Sequence, residues 1–209
     1  AKAIVEGIQG DNIAAPDKAV AVLCHFPGQT QPVSGLEDGE QEISDRTLRD
    51  VFLPPWEAGI KKSGALGVMA TYPAIDGVPA HASEKLLTSI LRDELGFEGL
   101  VLSEGGGISY LIYHHVVSSQ KEAGALALKS GVDVGISHEK AYMESMIENV
   151  NEGKVNISTI DRAVSRILLQ KFRLGLFENP FVDENHIDSI VHSVKHQELA
   201  LKTAREGIV

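Results

Sequence analysis

The chain has 209 residues, a hydrophobic fraction of 43% and a charged fraction of 23%, which supports one sizeable core and excludes a disordered segment. Its formal net charge of -10 at pH 7 and pI near 5.2, with no run of Lys and Arg on one expected face, exclude a nucleic-acid footprint. The single cysteine, Cys24, excludes an internal disulfide framework, and no stretch reaches the roughly 20 apolar residues that cross a bilayer.

In chain order, residues 1–9 read as a helix that began earlier, and the start Ala1-Lys2-Ala3-Ile4 is not a signal peptide. Residues 19–23 are short, apolar and bounded by turn residues, the pattern of a buried parallel strand. A helix over residues 44–62 follows, with Ser44 as N-cap and Glu42 and Asp45 beside it serving the helix N-terminus. The unit then repeats: a strand over 65–71 and a helix over 83–95 that stops at Gly96; a strand over 99–103 and a helix over 118–129 that ends before Ser130-Gly131. A fourth strand at 132–136 precedes a helix pair, 139–151 and 158–172, separated by Glu152-Gly153-Lys154. The run from Leu174 to Phe181 reads as an irregular connection, residues 193–206 as an amphipathic helix, and Ile208-Val209 as a strand being entered.

Strand then helix, four times over, is the signature of parallel βα units. The expected fold is α/β: the second half of a (β/α)8 barrel, with C-terminal helices and a linker. Residues 1–175 form the barrel half, and 176–209 form the linker leading into a following domain. Four units cannot close a barrel that takes roughly 250 residues, and bare apolar strand edges are aggregation templates. The other half is therefore expected from the same protein, another chain or a second copy.

Several strand-end motifs then occur in one order. His25-Phe26-Pro27-Gly28 follows the first strand, and Ser44-Asp45-Arg46-Thr47-Leu48-Arg49 opens the next helix. Val68-Met69-Ala70-Thr71-Tyr72 and Ile75-Asp76-Gly77-Val78-Pro79 mark the second strand and its loop. Leu91-Arg92-Asp93-Glu94-Leu95-Gly96-Phe97 leads into the third strand, and Phe172-Arg173-Leu174-Gly175-Leu176-Phe177-Glu178-Asn179-Pro180 closes the series. From about Ile4 to Val209 the chain resembles glycoside hydrolase family 3.

That resemblance implies a retaining, exo-acting β-glycosidase of the β-glucosidase kind, acting on a carbohydrate without a cofactor, and with no nucleic acid or membrane as partner. It places Glu104 as the nucleophile at the end of a barrel strand, where a retaining enzyme needs one carboxylate with a second about 5 to 5.5 Å away. The family's usual Ser-Asp-Trp stands here as Ser103-Glu104-Gly105. Glutamate reaches roughly 1.5 Å further than aspartate, and a misplacement of about 1 Å can cost a hundredfold in rate. The glycines 105–107 allow the backbone to shift, while the missing Trp removes a sugar-stacking wall.

The family's Lys-His-Phe-Pro-Gly-His stands here as Cys24-His25-Phe26-Pro27-Gly28-Gln29. His25 keeps its sugar-binding place, Cys24 replaces an ammonium with three donors, and Tyr72 matches an aromatic residue near the nucleophile. Read from the residues alone, Cys24 is a small buried apolar group with nothing near it to lower its pKa. His25 equally suits a satisfied core histidine, and Tyr72 a ring capping the core. His114, His115 and His138 lack carboxylate or cysteine partners at ligand spacing, so no metal site is expected. The resemblance leaves the acid/base unassigned; residues 29–43 contain no His, which argues against the N-acetylglucosaminidase branch. The family's upstream sugar-binding Asp and Arg would precede Ala1. Two other readings stay open: a sugar-binding or regulatory relative that has lost activity, and a phosphate-ester enzyme cradling its anion on the glycine run.

Overall fold

The structure, a computed structural model, describes every residue except Thr30, His138, Glu139 and Val209. The chain divides into two units, Ala1–Leu174 and Gly175–Val209.

In the first unit, α1 (Lys2–Gln9) precedes β1 (Val22–Phe26), which lies three residues later than expected. Pairing decides the shift: Val22 and Leu23 register with Gly67 and Val68 of β2 (Gly67–Ala70), and fully buried Phe26 registers with Ala70. His25 is thus inside the strand, and its peptide bond to Cys24 is cis. The expected single helix over 44–62 is broken in three. Ser44 caps α2 (Asp45–Thr47) by accepting from Thr47 N at 3.1 Å, a wider turn spans Leu48–Phe52, and α3 (Pro54–Lys61) restarts beyond it. Leu53 N bonds Leu48 O at 2.9 Å, a five-residue step, and Pro54 and Pro55 have no N–H to offer the carbonyls one turn back.

A hairpin follows β2, with β3 (Ala74–Ile75) antiparallel to β4 (Val78–Pro79). Its two turn residues, Asp76 and Gly77, both take positive φ, which Asp-Gly accommodates in a tight hairpin turn. The helix expected at 83–95 is a π-helical segment, Lys85–Glu94, burying Leu87, Ile90 and Leu91. It feeds β5 (Leu100–Leu102), which pairs with β2 so that the parallel order is β1-β2-β5. A short helix, α4 (Gly107–Tyr113), follows the glycine run, where no element was expected. Next comes α5 (Gln120–Ser130), capped by Ser119 and ended at Gly131 with φ 122°.

The fourth strand is a correction: residues 132–136 join the sheet through a single bridge, Leu102 to Val134. Asp133 N and Val134 N both donate to Val101 O, at 2.8 and 3.0 Å, which turns the chain locally instead of extending a ladder. The Asp133 carboxylate, 2% exposed, lies between Arg92 Nη2 at 2.8 Å and Arg166 Nη1 at 2.7 Å and accepts from Val101 N at 2.9 Å. α6 (Glu144–Asn151) begins later than the expected residue 139, and Glu139 itself lies outside the described residues. α7 (Ile157–Arg173) matches the expected helix within a residue at each end and carries Arg166. The main core packs Phe26, Val68 and Val101 of the sheet against Leu87, Leu91, Ile108 and Ala127.

The second unit contains a short 3-10 turn (Glu184–His186), α8 (Ile187–Ile190) and α9 (Val194–Gly207), capped by Ser193. Val209, the end of the expected terminal strand, lies outside the described residues.

Candidate active site

The three strands are parallel, so their carboxyl ends lie on one side of the sheet. In open parallel α/β sheets and barrels this is where ligand-binding side chains collect. Just past β2 and β5 stand Tyr72 and Glu104, and within the last residues of β1 stand Cys24 and His25. All four residues singled out from the sequence meet here.

Glu104 Oε1 lies 3.1 Å from His25 Nε2, and its side chain is 12% exposed. Glu104 Oε2 is buried with no hydrogen-bond partner among the described residues. Burial pushes the Glu104 carboxyl up to about 7, the charge of Glu37 adds to this, and the Gln29 side chain and Tyr72 backbone N–H pull the other way. Burial also holds the His25 imidazole below its ordinary range, so around neutral pH a neutral ring stands beside the carboxyl. Tyr72 donates its hydroxyl to Gly105 O at 2.5 Å, and its ring stacks on Tyr110 of α4 at 4.8 Å. Cys24 is not the small buried group expected. It is exposed on β1, the edge strand of the sheet, with burial of its sulfur and the Glu104 charge pushing the thiol up. A cavity of about 360 Å³ opens beside it, lined by Leu23, Cys24, His25, Gln29, Phe52 and Trp56.

Sequence reasoning missed His81. Its ring is 1% exposed, and Nε2 accepts from Glu104 N at 3.2 Å, with the Thr71 backbone close enough to act on its titration. Burial depresses His81 to about 4, which keeps it neutral and able to accept. A Cβ at position 107 would overlap this ring, so Gly107 is required by close approach. No motif flagged His81, because its partners are backbone groups supplied by two other strands. Gln29 and Glu37, in the loop after β1, also reach the site. The only signal for them was the loop's acidic, polar composition.

His81 makes a pH-dependent contribution to stability. Its folded value of about 4 lies below the ordinary 6.5, so the unfolded chain binds the extra proton and stability falls as pH drops from 6.5 to 4. The loss is at most about 3 kcal/mol. Denaturant unfolding of wild type and His81→Gln should show the gap between the two proteins narrowing over that range. A gap that stays constant with pH would remove this role.

Among the described residues, no group of three or more His, Cys, Asp or Glu is placed to hold a metal ion. His114 instead lies 3.6 Å from Asp38, and His138 lies outside the described residues. No helix is long and apolar enough to cross a membrane.

Fold and site define a parallel α/β domain with a buried carboxylate at its strand ends. The sequence model of the glycosyl hydrolase family 3 N-terminal domain matches residues 1–169, and the chain belongs to that family. It is 37% identical over 211 residues to a putative β-xylosidase of Formosa agariphila, covering 98% of this chain and 27% of that protein. It is 36% identical to a lysosomal β-glucosidase of Dictyostelium discoideum, covering 99% and 26% respectively. Among solved structures, a β-glucosidase from Erythrobacter marinus superimposes with a TM-score of 0.94 at 36% identity, covering all of this chain and 28% of the other. The chain thus spans little more than a quarter of the length of these relatives.

Proposed function

We propose that this chain is the second half of the catalytic (β/α)8 barrel of a retaining, exo-acting β-glycosidase, with residues 176–209 as a linker leading into a following domain. Its substrate is a carbohydrate ending in a β-linked sugar, glucose or xylose being the sugars that the relatives' names point to. Glu104 is the nucleophile, and His25, Cys24 and Tyr72 line the sugar's position. The remaining barrel strands come from the same protein, another chain or a second copy, since the β1 edge carries no partner strand among the described residues.

The observation that carries the reading is the state of Glu104: one oxygen is oriented by His25, and the other is buried and unpartnered at the strand ends. A nucleophile needs such an arrangement, because a lone pair held by a fixed neighbour and stripped of water is ready for an incoming carbon. In the full-length protein, a 2-deoxy-2-fluoro β-glycoside with a dinitrophenyl leaving group should leave a glycosyl ester that peptide mapping finds on Glu104. An ester on another residue would sink the assignment. Calorimetric sugar binding with no turnover would favour a relative that has lost activity, a reading motivated by Cys24 and Gly105 standing where the family has Lys and Trp.

A further inference from the structure

We propose that His81 is a positioning residue for the nucleophile: its ring fixes the turn from Glu104 to Gly107, and with it the line along which the Glu104 carboxylate attacks. The inference rests on Glu104 being the nucleophile. A glutamate reaches its carboxylate through three side-chain torsions, so the attacking oxygen is only as well placed as the backbone that carries it. Attack needs the reacting atoms held about 3 to 3.5 Å apart and aligned.

The residues on either side of Glu104 are tied by backbone and hydroxyl contacts. Ser103 N donates to Val134 O at 2.7 Å, and Ser103 Oγ accepts from Ile136 N at 3.0 Å. Gly107 N donates to Glu104 O at 2.8 Å, which closes the turn, and Tyr72 donates its hydroxyl to Gly105 O. The N–H of Glu104 is held differently. It lies beyond the end of β5 and donates to a side chain, His81 Nε2, at 3.2 Å. The same ring meets the far end of the turn. A Cβ on Gly107 would stand 2.4 Å from both Cε1 and Nε2 of His81, so the imidazole lies directly against the glycine backbone. One side chain thus sets the N–H that begins the turn and the spacing at its end. Since Glu104 Oε1 lies 3.1 Å from His25 Nε2, two imidazoles bracket this residue, one at its backbone and one at its carboxylate.

His81 itself has little freedom. It is almost fully buried in the 3-10 turn Ala80–Ala82, in the connection between β2 and the Lys85–Glu94 segment. Fully buried Ala80 donates its N–H to Pro73 O at 3.1 Å, and Ser83 N donates to Ala80 O at 3.1 Å. Ser83 Oγ then accepts from Leu86 N at 3.2 Å, where the next segment starts. A ring enclosed in this way is a fixed stop, and because burial keeps it neutral, Nε2 has a lone pair to offer.

The test compares His81→Gln with His81→Asn in the full-length protein. In His81→Gln the amide oxygen reaches the place of Nε2 and can accept from Glu104 N; in His81→Asn the shorter amide reaches only the place of Nδ1. Both lose the ring, so a purely structural role would make the two variants equally poor. The probes are the dinitrophenyl 2-deoxy-2-fluoro β-glucoside and β-xyloside. Their dinitrophenolate burst counts competent sites, and their inactivation rate constant reports the attack itself. Per competent site, His81→Asn should lower that constant and kcat by on the order of 10 to 10^2 with KM little changed, and His81→Gln should recover most of the loss. Gly107→Ala leaves His81 intact but drives a methyl group into its ring; it should lower the same constant, and it carries the test if the His81 variants do not fold. A loss under about threefold in His81→Asn, equal losses in the two His81 variants, or a wild-type constant in Gly107→Ala overturns the proposal. So does a loss seen only as fewer competent sites or only in KM. If the wild type carries its glycosyl ester on Glu104 and the variants behave like it, only the role of His81 fails. If the ester lies on another residue, or neither reagent labels the wild type, the underlying reading fails as well.

Discussion

Glu104→Gln in the full-length protein is expected to lower kcat by on the order of 10^4 or more, the scale on which losing one member of a catalytic unit acts. The amide keeps the shape of the side chain and its contact with His25 but cannot attack an anomeric carbon. Stability should not fall, because Glu104 is held up to about 7 by burial, and a neutral isostere suits that environment. Wild-type kcat/KM should also show an acidic limb near pH 7. Below it the carboxyl is protonated and cannot attack; above it the carboxylate is available. Glu104→Asp, which restores the residue usual in the family, draws the oxygens back by about 1.5 Å and should cost on the order of 10^2, since the surrounding loop is set for the longer arm. Full activity in Glu104→Gln, with its melting temperature unchanged, would exclude the nucleophile assignment.

Asp133→Ala is expected to be the most damaging change to the fold. The carboxylate is 2% exposed and satisfies Arg92, Arg166 and the backbone N–H of Val101 at once. Removing it leaves the side chain of Arg92, 9% exposed, as an unpaired cation; burial already depresses that guanidinium to about 10. Breaking a buried pair in this way costs about 3–5 kcal/mol, roughly 6–20 °C in melting temperature for a unit of this size. Arg166→Ala should cost less, because that side chain is 23% exposed and water can replace part of its contact. Activity should fall with Asp133→Ala too, since Val101 belongs to the strand that delivers Glu104. Chemical denaturation measures the first effect, and a loss below about 1 kcal/mol would contradict it.

Much of the fold was legible from local pattern. α5, α7 and α9 were readable because their caps, Ser119, Asn156 and Ser193, and their apolar periodicity depend on neighbours in sequence. Strand positions were less readable. β1 was placed too early because residues 19–23 are the more apolar run, whereas register against Gly67, Val68 and Ala70 draws Cys24, His25 and Phe26 into the sheet. The helix at 44–62 failed at a visible signal, the pair Pro54-Pro55, and the hairpin at Asp76-Gly77 was equally visible. At 132–136 composition suggested a strand, but Asp133 turns inward to two arginines that come from distant helices, and pairing shrinks to a single bridge.

The site divides along the same line. Motif order alone located Glu104, His25, Cys24 and Tyr72 at strand ends, because a parallel sheet sends each such end to one side. The sequence by itself therefore determined the α/β class, the family and the position of the carboxylate. Only the tertiary structure decided the carboxylate's surroundings. His81 holds its backbone from a loop 23 residues away, Gln29 and Glu37 approach it from the loop after another strand, and Cys24 is open to solvent instead of packed. Those relations depend on which backbone atoms and charges meet across the sheet, and spacing along one chain carries no record of that.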